Sequence, residues 1–86
     1  MNRITLSLEG YPVNYALARK IAETIALQDN PETLLIAWCD AQQGKHSPQG
    51  VRCEIHGKAG WDVYGCNHGG RLRISFNGDR LVFIYS

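Results

Sequence analysis

Cysteine and histidine are the residue types in this chain that are best able to do chemistry, and they occur close together. All three cysteines and all three histidines lie between Trp38 and His68. They are Cys39, Cys53 and Cys66, with His46, His56 and His68. A thiol beside an imidazole can act as a nucleophile, and the same two groups are common zinc ligands. The sequence therefore places any catalytic or metal-binding residue in this central stretch.

Zinc is the metal that such ligands favour. Cys66 and His68 lie in a glycine-rich segment and are the candidate metal ligands. Cys53 and His56 could supply two more, but their spacing differs from that of the usual zinc-binding patterns. Residues three apart on a strand also face opposite sides, which favours Cys53 in the core and His56 on the surface. We therefore expect no cofactor, with zinc as the alternative.

Thiol catalysis is the second kind of chemistry that these residues could perform. A nearby imidazole favours the reactive thiolate form of a cysteine. Two pairs offer this arrangement in the sequence, Cys66 with His68 and Cys39 with His46. Small proteins contain such pairs by chance, so we rank an enzymatic role, as a thiol- or metal-dependent enzyme or a redox partner, below a binding role.

Binding of a small anionic ligand is the third kind. Gly65, Gly69 and Gly70 could turn successive backbone amides towards an anion, although simple turns explain them more economically. The predicted ligand contacts are His46, Asn67, Arg71 and Arg73. We expect this site where two loops, 40–50 and 65–70, come together.

Composition excludes several classes of protein. The chain has 86 residues, the size of one domain, so we predict a single domain over 1–86. Hydrophobic residues make up 44% and charged residues 20%, as in globular proteins. No apolar run approaches the roughly 20 residues that span a bilayer, so we expect no membrane association. An odd number of cysteines argues against a disulfide framework and favours a reducing cytoplasm.

The charge gives little reason to expect a nucleic-acid partner. The formal net charge is only +1, and no RNA-binding signature is present. Aromatic side chains such as Trp38 and Trp61 could still stack on bases. A weak single-stranded nucleic-acid binder is therefore a further alternative.

An α+β fold must position these residues. Alternation over Arg3–Leu8 predicts a strand, and apolar residues at spacings of three and four predict a helix from about Asn14 to Gln28. The apolar run Thr33–Cys39 predicts a buried strand, with a helix over 31–39 as the alternative. The segment 40–50 is predicted to be a loop.

Two hairpins are predicted in the second half of the chain. Their strands are 51–56 and 61–64, then 71–76 and 79–85. Asn77-Gly78 favours a two-residue turn, which pairs Ile74 with Leu81. The order β-α-β-β-β-β-β gives one helix packed on a mixed or antiparallel sheet of about five strands, with a C-terminal Asn-Gly hairpin.

One helix cannot cover both faces of such a sheet. The strands at Leu34–Trp38 and Leu81–Tyr85 are apolar on both faces, so the second face needs a cover. We therefore expect a homodimer through the uncovered face, or a sheet curled upon itself.

The run Leu34–Asp40, which ends in Trp-Cys-Asp, and the Gly-Lys-His-Ser-Pro at 44–48 are similar to a small family of uncharacterised prokaryotic proteins. The resemblance covers about the first half of the chain. It implies a stand-alone cytoplasmic protein of unknown function and no particular substrate. Our leading hypothesis is a dimeric binding module rather than an enzyme.

Overall fold

A five-stranded mixed sheet with a helix on each face makes up the fold. The structure is a computed structural model that describes residues 1–51 and 54–86. The strands are β1 (Asn2–Leu6), β2 (Leu35–Asp40), β3 (Lys45–Ser47), β4 (Glu54–Ile55), β5 (Lys58–Ala59), β6 (Leu72–Phe76) and β7 (Leu81–Tyr85). The helices are α1 (Tyr15–Asp29) and α2 (Gly60–Asn67). Within the described ranges, neither helix is long and apolar enough to cross a membrane.

The strand order in the main sheet is β1-β6-β7-β2-β3. β1 and β6 run parallel, and the other neighbouring pairs of this sheet are antiparallel. β4 and β5 pair with each other in a separate small hairpin. This architecture confirms the predicted α+β class, with one main helix packed on a sheet of five strands.

The long helix α1 begins where the sequence predicts it. The Asn14 side chain accepts a hydrogen bond from the Leu17 N–H at 2.9 Å and so satisfies a free amide of the first turn. Ala18, Ala22 and Ala26 lie four residues apart and are fully buried. Because these side chains are small, the helix can lie close to the strands beneath it.

The α1 face of the sheet carries the hydrophobic core. Alternate residues of two interior strands point towards the helix and are buried. They are Leu72, Ile74 and Phe76 of β6, with Leu81, Phe83 and Tyr85 of β7. Full burial of one such side chain contributes about 1.5 to 3 kcal/mol to the free energy of folding, so this face is a main source of stability.

The C-terminal hairpin is present, but the predicted register is wrong. Phe76 pairs with Leu81, and Ile74 pairs with Phe83 rather than with Leu81. The connection therefore spans residues 77–80 instead of two residues. A shift of two residues leaves every side chain on its predicted face, since strand side chains alternate with a period of two.

Side-chain hydrogen bonds explain the longer turn. Asn77, Gly78 and Asp79 all have positive φ, at 51°, 67° and 65°. The Asp79 N–H donates to the Ser75 hydroxyl oxygen at 3.2 Å, which draws Asp79 into the turn. The Asn77 side chain accepts from the Leu8 N–H at 2.8 Å and ties the turn to the chain after β1.

Strand β2 confirms the predicted strand over 33–39, and the alternative helix does not form. The prediction of a loop over 40–50 is wrong in part, because it contains β3, which pairs with β2. The reversal between them has a structural cause: the Asp40 side chain accepts from the Gln43 N–H at 3.2 Å, and Gly44 adopts a φ of 64°. A strand of three residues is too short for periodicity to identify.

Within the described residues, the predicted strand over 51–56 is present as β4, which pairs with β5. His56 and Gly57 form the turn between them with φ of 51° and 79°, so the hairpin is tighter than the sequence suggests. Arg52 and Cys53 lie outside the described residues, and so does the expectation that Cys53 packs in the core.

Helix α2 is the largest departure from the prediction. The sequence predicts a strand at 61–64 and then a glycine-rich connector over 65–70, but one helix of eight residues, Gly60–Asn67, takes up the first and the beginning of the second. Trp61 and Gly65, one helical turn apart, both face the sheet. Four residues are too few to separate a period of two from one of 3.6, so the pattern fits a strand equally well.

Gly65 allows α2 to lie very close to β7. A Cβ atom at this position would lie 2.6 Å from the Ile84 Cδ1 atom. Gly70 is equally confined, since its Cβ would meet the Gly65 carbonyl oxygen. The Gly70 N–H donates to that same oxygen at 3.0 Å and closes the end of the helix. Both glycines therefore serve close packing.

α2 covers part of the sheet face opposite α1. Trp61 packs against Ala37, Val82 and Ile84, which form a second and smaller core. The homodimer prediction assumes that this face is bare, and that assumption is wrong. The dimer itself stays a prediction.

Candidate functional site

A cleft of about 480 Å³ opens on the α2 face of the molecule, between β1, the β4–β5 hairpin and α2. Its apolar lining consists of Met1, Ile55, Ala59 and Val63. Its polar lining consists of Arg3, His56, Lys58, Asp62, Cys66 and Asn67. Small-molecule sites usually have volumes of roughly 300 to 1,000 Å³ and combine an apolar wall with a few polar groups. The cleft fits that description.

Three elements position the polar groups. Ile4 and Leu6 of β1 pack on the α1 face. Because strand side chains alternate between the two faces, Arg3 lies on the α2 face. The turn at His56 brings Lys58 back along the cleft. Along α2, the residues at 62 and 66 lie one turn apart and share the face that borders the cleft.

A buried arginine, Arg73, lies next to the cleft and makes ion pairs with two carboxylates. The Arg73 guanidinium donates from Nε and Nη2 to the two Asp62 carboxylate oxygens at 3.2 and 3.1 Å. Its Nη1 donates to Asp79 Oδ1 at 3.4 Å. A two-pronged pair of this kind fixes direction as well as charge, so it holds α2 against β6.

The hydrogen bonds and ion pairs of this cluster stabilise the charged forms of Arg73 and Asp79. Burial opposes the charged form of Arg73, but the hydrogen bonds that it donates to Asp62 and Asp79 outweigh it, so the pKa of Arg73 is raised. A hydrogen bond from the Ser75 hydroxyl, helped by Arg73, lowers the pKa of Asp79. The guanidinium and the carboxylate are therefore both ionised at neutral pH.

The structure separates Cys66 from His68. Cys66 lies on the helix face that borders the cleft, whereas His68 is the C-cap of α2 and does not border it. The His68 ring instead stacks on Tyr64, with ring centroids 3.8 Å apart, and its Nδ1–H donates to the Tyr64 carbonyl oxygen at 2.8 Å. No hydrogen bond joins the two predicted partners, both of which are described.

The structure does bring Cys39 and His46 together, as directly opposed residues of β2 and β3. Burial and the nearby Asp40, however, raise the pKa of the Cys39 thiol, and other carboxylates add to the shift. The thiol is therefore protonated at neutral pH. The His46 Nδ1–H donates to the Pro48 carbonyl oxygen at 3.0 Å. This pair meets in space but lacks the thiolate that nucleophilic catalysis needs.

Of the four predicted ligand contacts, Asn67 alone borders the cleft. Arg71 is exposed and pairs with Asp29 at 3.6 Å. Arg73 is committed to its two carboxylates, and His46 lies on β3 at the opposite edge of the sheet.

The 41–44 turn after β2 and the 65–70 segment lie at opposite ends of the sheet. The Ala41 N–H donates to the Arg80 carbonyl oxygen at 2.9 Å, at the end of β2. The Arg71 N–H donates to the Tyr85 carbonyl oxygen at 2.9 Å, beside the start of β2. A strand of six residues separates these ends by roughly 17 Å. β3 then runs back along β2, so the rest of 40–50 is not confined to that end. A site between the 40–50 and 65–70 segments stays a prediction.

Residues 1–51 and 54–86 contain no cluster of side chains that could bind a metal ion. No three histidine, cysteine, aspartate or glutamate side chains there lie close enough together to hold a metal ion. The zinc site at Cys66 and His68 stays a prediction without the geometry that a closed site needs.

Sequence reasoning missed the residues that define the cleft, above all Arg3, Lys58 and Ile55. The alternation in β1 does assign Arg3 to the face opposite Ile4 and Leu6. Nothing in the sequence connects residue 3 with residue 58, since their proximity depends on the parallel pairing of β1 with β6 and on the position of α2.

Fold and site together define a small α+β domain with an amphipathic cleft beside its second helix. The chain belongs to the family described as "Domain of unknown function (DUF5619)", whose sequence model matches residues 1–85. This match confirms the predicted resemblance to a family of uncharacterised proteins.

A solved structure supports the same fold. The chain is similar to a novel protein from Archeoglobus fulgidus DSM 4304, with 27% sequence identity and a TM-score of 0.80. The match covers 100% of this chain and 93% of that one. A comparison with curated proteins gives no match.

Proposed function

We propose that this protein is a binding module and that the cleft beside α2 takes a small molecule. The observation that carries the proposal is the cleft itself, which three separate elements border and which has one apolar wall and several polar groups. Its volume of about 480 Å³ suits a drug-sized ligand.

The polar groups of the cleft support binding rather than catalysis. Asp62 is the carboxylate that borders it, and Arg73 occupies both of its oxygens. The Cys66 thiol has no imidazole partner within the described part of the chain. General acid–base or nucleophilic catalysis needs such partners within hydrogen-bonding reach. The cleft therefore offers contacts for a ligand without an assembled reaction centre.

The dimeric and cytoplasmic character of the module remains part of the proposal. A dimer is favoured by the exposed apolar side chains of Tyr11, Leu27 and Leu34. Light scattering distinguishes the 9.6 kDa monomer from a dimer of twice that mass. A monomer at high concentration would remove the dimer from the proposal and leave the cleft unaffected.

A fluorescent dye titration with a cleft-filling variant tests the proposed site. N-phenylnaphthylamine is a neutral aromatic probe that becomes bright in apolar surroundings. Saturable binding is expected, and Ala59→Phe should weaken it by about tenfold or more, because the new ring occupies the apolar wall. Ala16→Phe is the matched control, since Ala16 is exposed on α1.

Equal affinity in Ala59→Phe and Ala16→Phe would contradict the proposal, and so would an absence of saturable binding. Thermal unfolding curves of both variants show whether the fold is kept. If both variants keep the fold, a loss of dye binding in Ala59→Phe is attributed to the filled cleft.

A further inference from the structure

We infer that the ligand of the cleft is an organic anion with a single negative charge and an apolar body, held by Arg3 and Lys58. This inference rests on the proposed function and adds the chemical class of the ligand. The anion site expected from the sequence involved His46, Asn67, Arg71 and Arg73, of which this site shares Asn67.

The positive charges at the cleft come from separate elements. Arg3 belongs to β1 and Lys58 to β5, and both border the cleft. Within the described ranges, neither makes an ion pair with a carboxylate, whereas Arg71 and Arg73 both do. Two cations that share a concave site raise the local concentration of anions.

The carboxylate at the cleft does not neutralise them. Arg73 takes both oxygens of Asp62 at 3.1 and 3.2 Å. A carboxylate engaged by a guanidinium in this way has little remaining attraction for a third group. Asp62 therefore marks the boundary of the site rather than a contact for a cationic ligand.

The balance of formal charges favours a single negative charge on the ligand. Arg3, Lys58 and Arg73 against Asp62 and Asp79 leave one positive charge in the described surroundings of the cleft. A carboxylate, a sulfonate or a phosphodiester meets that excess. A polyanion would exceed it and would lie close to Asp62.

The apolar wall determines the rest of the ligand. Ile55 and Ala59 of the hairpin and Val63 of α2 line the side of the cleft, with Met1 at its margin. Contact with these side chains removes apolar ligand surface from water, which favours an aromatic or aliphatic acid over a small inorganic anion. The Asn67 amide and the His56 imidazole border the same space and can donate to the anionic group.

A matched pair of dyes tests this inference separately from the proposed function. Anilinonaphthalene sulfonate and N-phenylnaphthylamine share one ring system, and the sulfonate is the charge that distinguishes them. The protein should bind the sulfonate about tenfold more tightly than the neutral dye, and added salt should reduce that preference.

Two variants identify the cations. Arg3→Gln and Lys58→Gln should each reduce affinity for the sulfonate by about threefold to tenfold more than affinity for the neutral dye. Saturable binding of the neutral dye also shows that the cleft is intact. Lys45→Gln is the matched control, because Lys45 is an exposed cation on β3 at the other edge of the sheet.

Three outcomes would overturn the inference. Equal affinity of the wild-type protein for both dyes removes the preference for an anion, while the proposed function stands. Loss of the preference in Lys45→Gln as large as in Lys58→Gln shows general surface attraction. If neither dye binds, the proposed function fails as well.

Discussion

The two faces of the sheet are closed in different ways. The α1 face is a continuous apolar core, in which the buried alanines of the helix lie on alternate large residues of β6 and β7. The α2 face holds a smaller apolar cluster around Trp61 and, beside it, the buried ion pair of Arg73 with Asp62. The first face is complete, whereas the second leaves a cleft next to its polar cluster.

This difference indicates that the α1 face mainly stabilises the fold, whereas the α2 face holds the cleft. A chain of 86 residues has room for one substantial core, and the α1 face provides it. The α2 face is then free to hold charged residues, which contribute less to stability than packed hydrocarbon and more to direction and recognition. Variants of the α1 face should therefore change stability alone, and variants of the α2 face should change binding too.

The largest effect is expected from Phe83→Ala on the α1 face. Phe83 is fully buried and contacts Tyr15 and Phe76 through its ring. Its truncation leaves a cavity, so the free energy of unfolding should fall by about 3 to 5 kcal/mol in urea titrations. Leu34→Ala is the control, since Leu34 is 72% exposed. A similar loss in both variants would contradict the assignment of the core.

The next effect is expected from Arg73→Met on the α2 face. Removal of the guanidinium leaves Asp62 and Asp79 without their partner. Because these carboxylates keep contact with water, the loss should be about 2 kcal/mol, below that of a fully buried pair. Dye affinity should fall as well, because α2 loses its connection to β6.

Arg71→Met provides the comparison for that variant. Arg71 makes an exposed ion pair with Asp29, so its loss should change the free energy of unfolding by less than about 1 kcal/mol. Equal effects in the two variants would show that the buried cluster has no special role.

A smaller effect is expected from Gly65→Ala, which tests how closely α2 lies to the sheet. The new methyl group would be 2.6 Å from Ile84 Cδ1, and the strain should exceed the gain in helix propensity. A net loss of about 1 kcal/mol is expected from thermal unfolding. Gly50→Ala is the control, since a Cβ there would meet no atom of the described residues within 4 Å. Stabilisation by Gly65→Ala would contradict the close packing of α2.

An effect of opposite sign is expected from Tyr85→Phe. The Tyr85 hydroxyl is buried on the α1 face and has no hydrogen-bond partner among the described residues. Its removal should raise the free energy of unfolding by about 1 kcal/mol at pH 7. Destabilisation would show that the hydroxyl has a partner.

Tyr85 also gives this face a pH dependence. Burial raises the pKa of Tyr85 from 10.0 to about 12, which means that the folded state holds the proton more tightly than the unfolded chain. The contribution of Tyr85 to stability should therefore be constant below pH 10 and fall as the pH rises from 10 towards 12. In Tyr85→Phe this contribution should be absent, as stability curves against pH will show.

The sequence predicts the α1 face well, because each of its elements follows a local rule. The Asn14 cap and the alanines at a spacing of four define α1, and period-two alternation defines the core residues of β6 and β7. The Asn77-Gly78 signal locates the hairpin, although the hydrogen bond from the Asp79 backbone to Ser75 lengthens the turn.

The α2 face is predicted poorly, because its elements depend on distant contacts. α2 is short and contains two glycines, Gly60 and Gly65, so its own pattern favours no one structure. The structural role of Gly65 is evident only from its contact with Ile84, and that of Arg73 is evident only from its hydrogen bonds to Asp62. The cleft draws on β1, a short hairpin and α2, which no local rule connects. The candidate site therefore became visible only in three dimensions, with Cys66 and Asn67 as the predicted residues that belong to it.

An NMR titration tests most directly whether the cleft of the α2 face is the binding site. Anilinonaphthalene sulfonate is added to ¹⁵N-labelled protein, and the backbone amide shifts are followed residue by residue. Saturable shifts are predicted in β1, in the β4–β5 hairpin and in the part of α2 from Asp62 to Asn67, with little change in α1 and β3. Shifts centred on His46 and Pro48, or spread over the whole surface without saturation, would contradict the account.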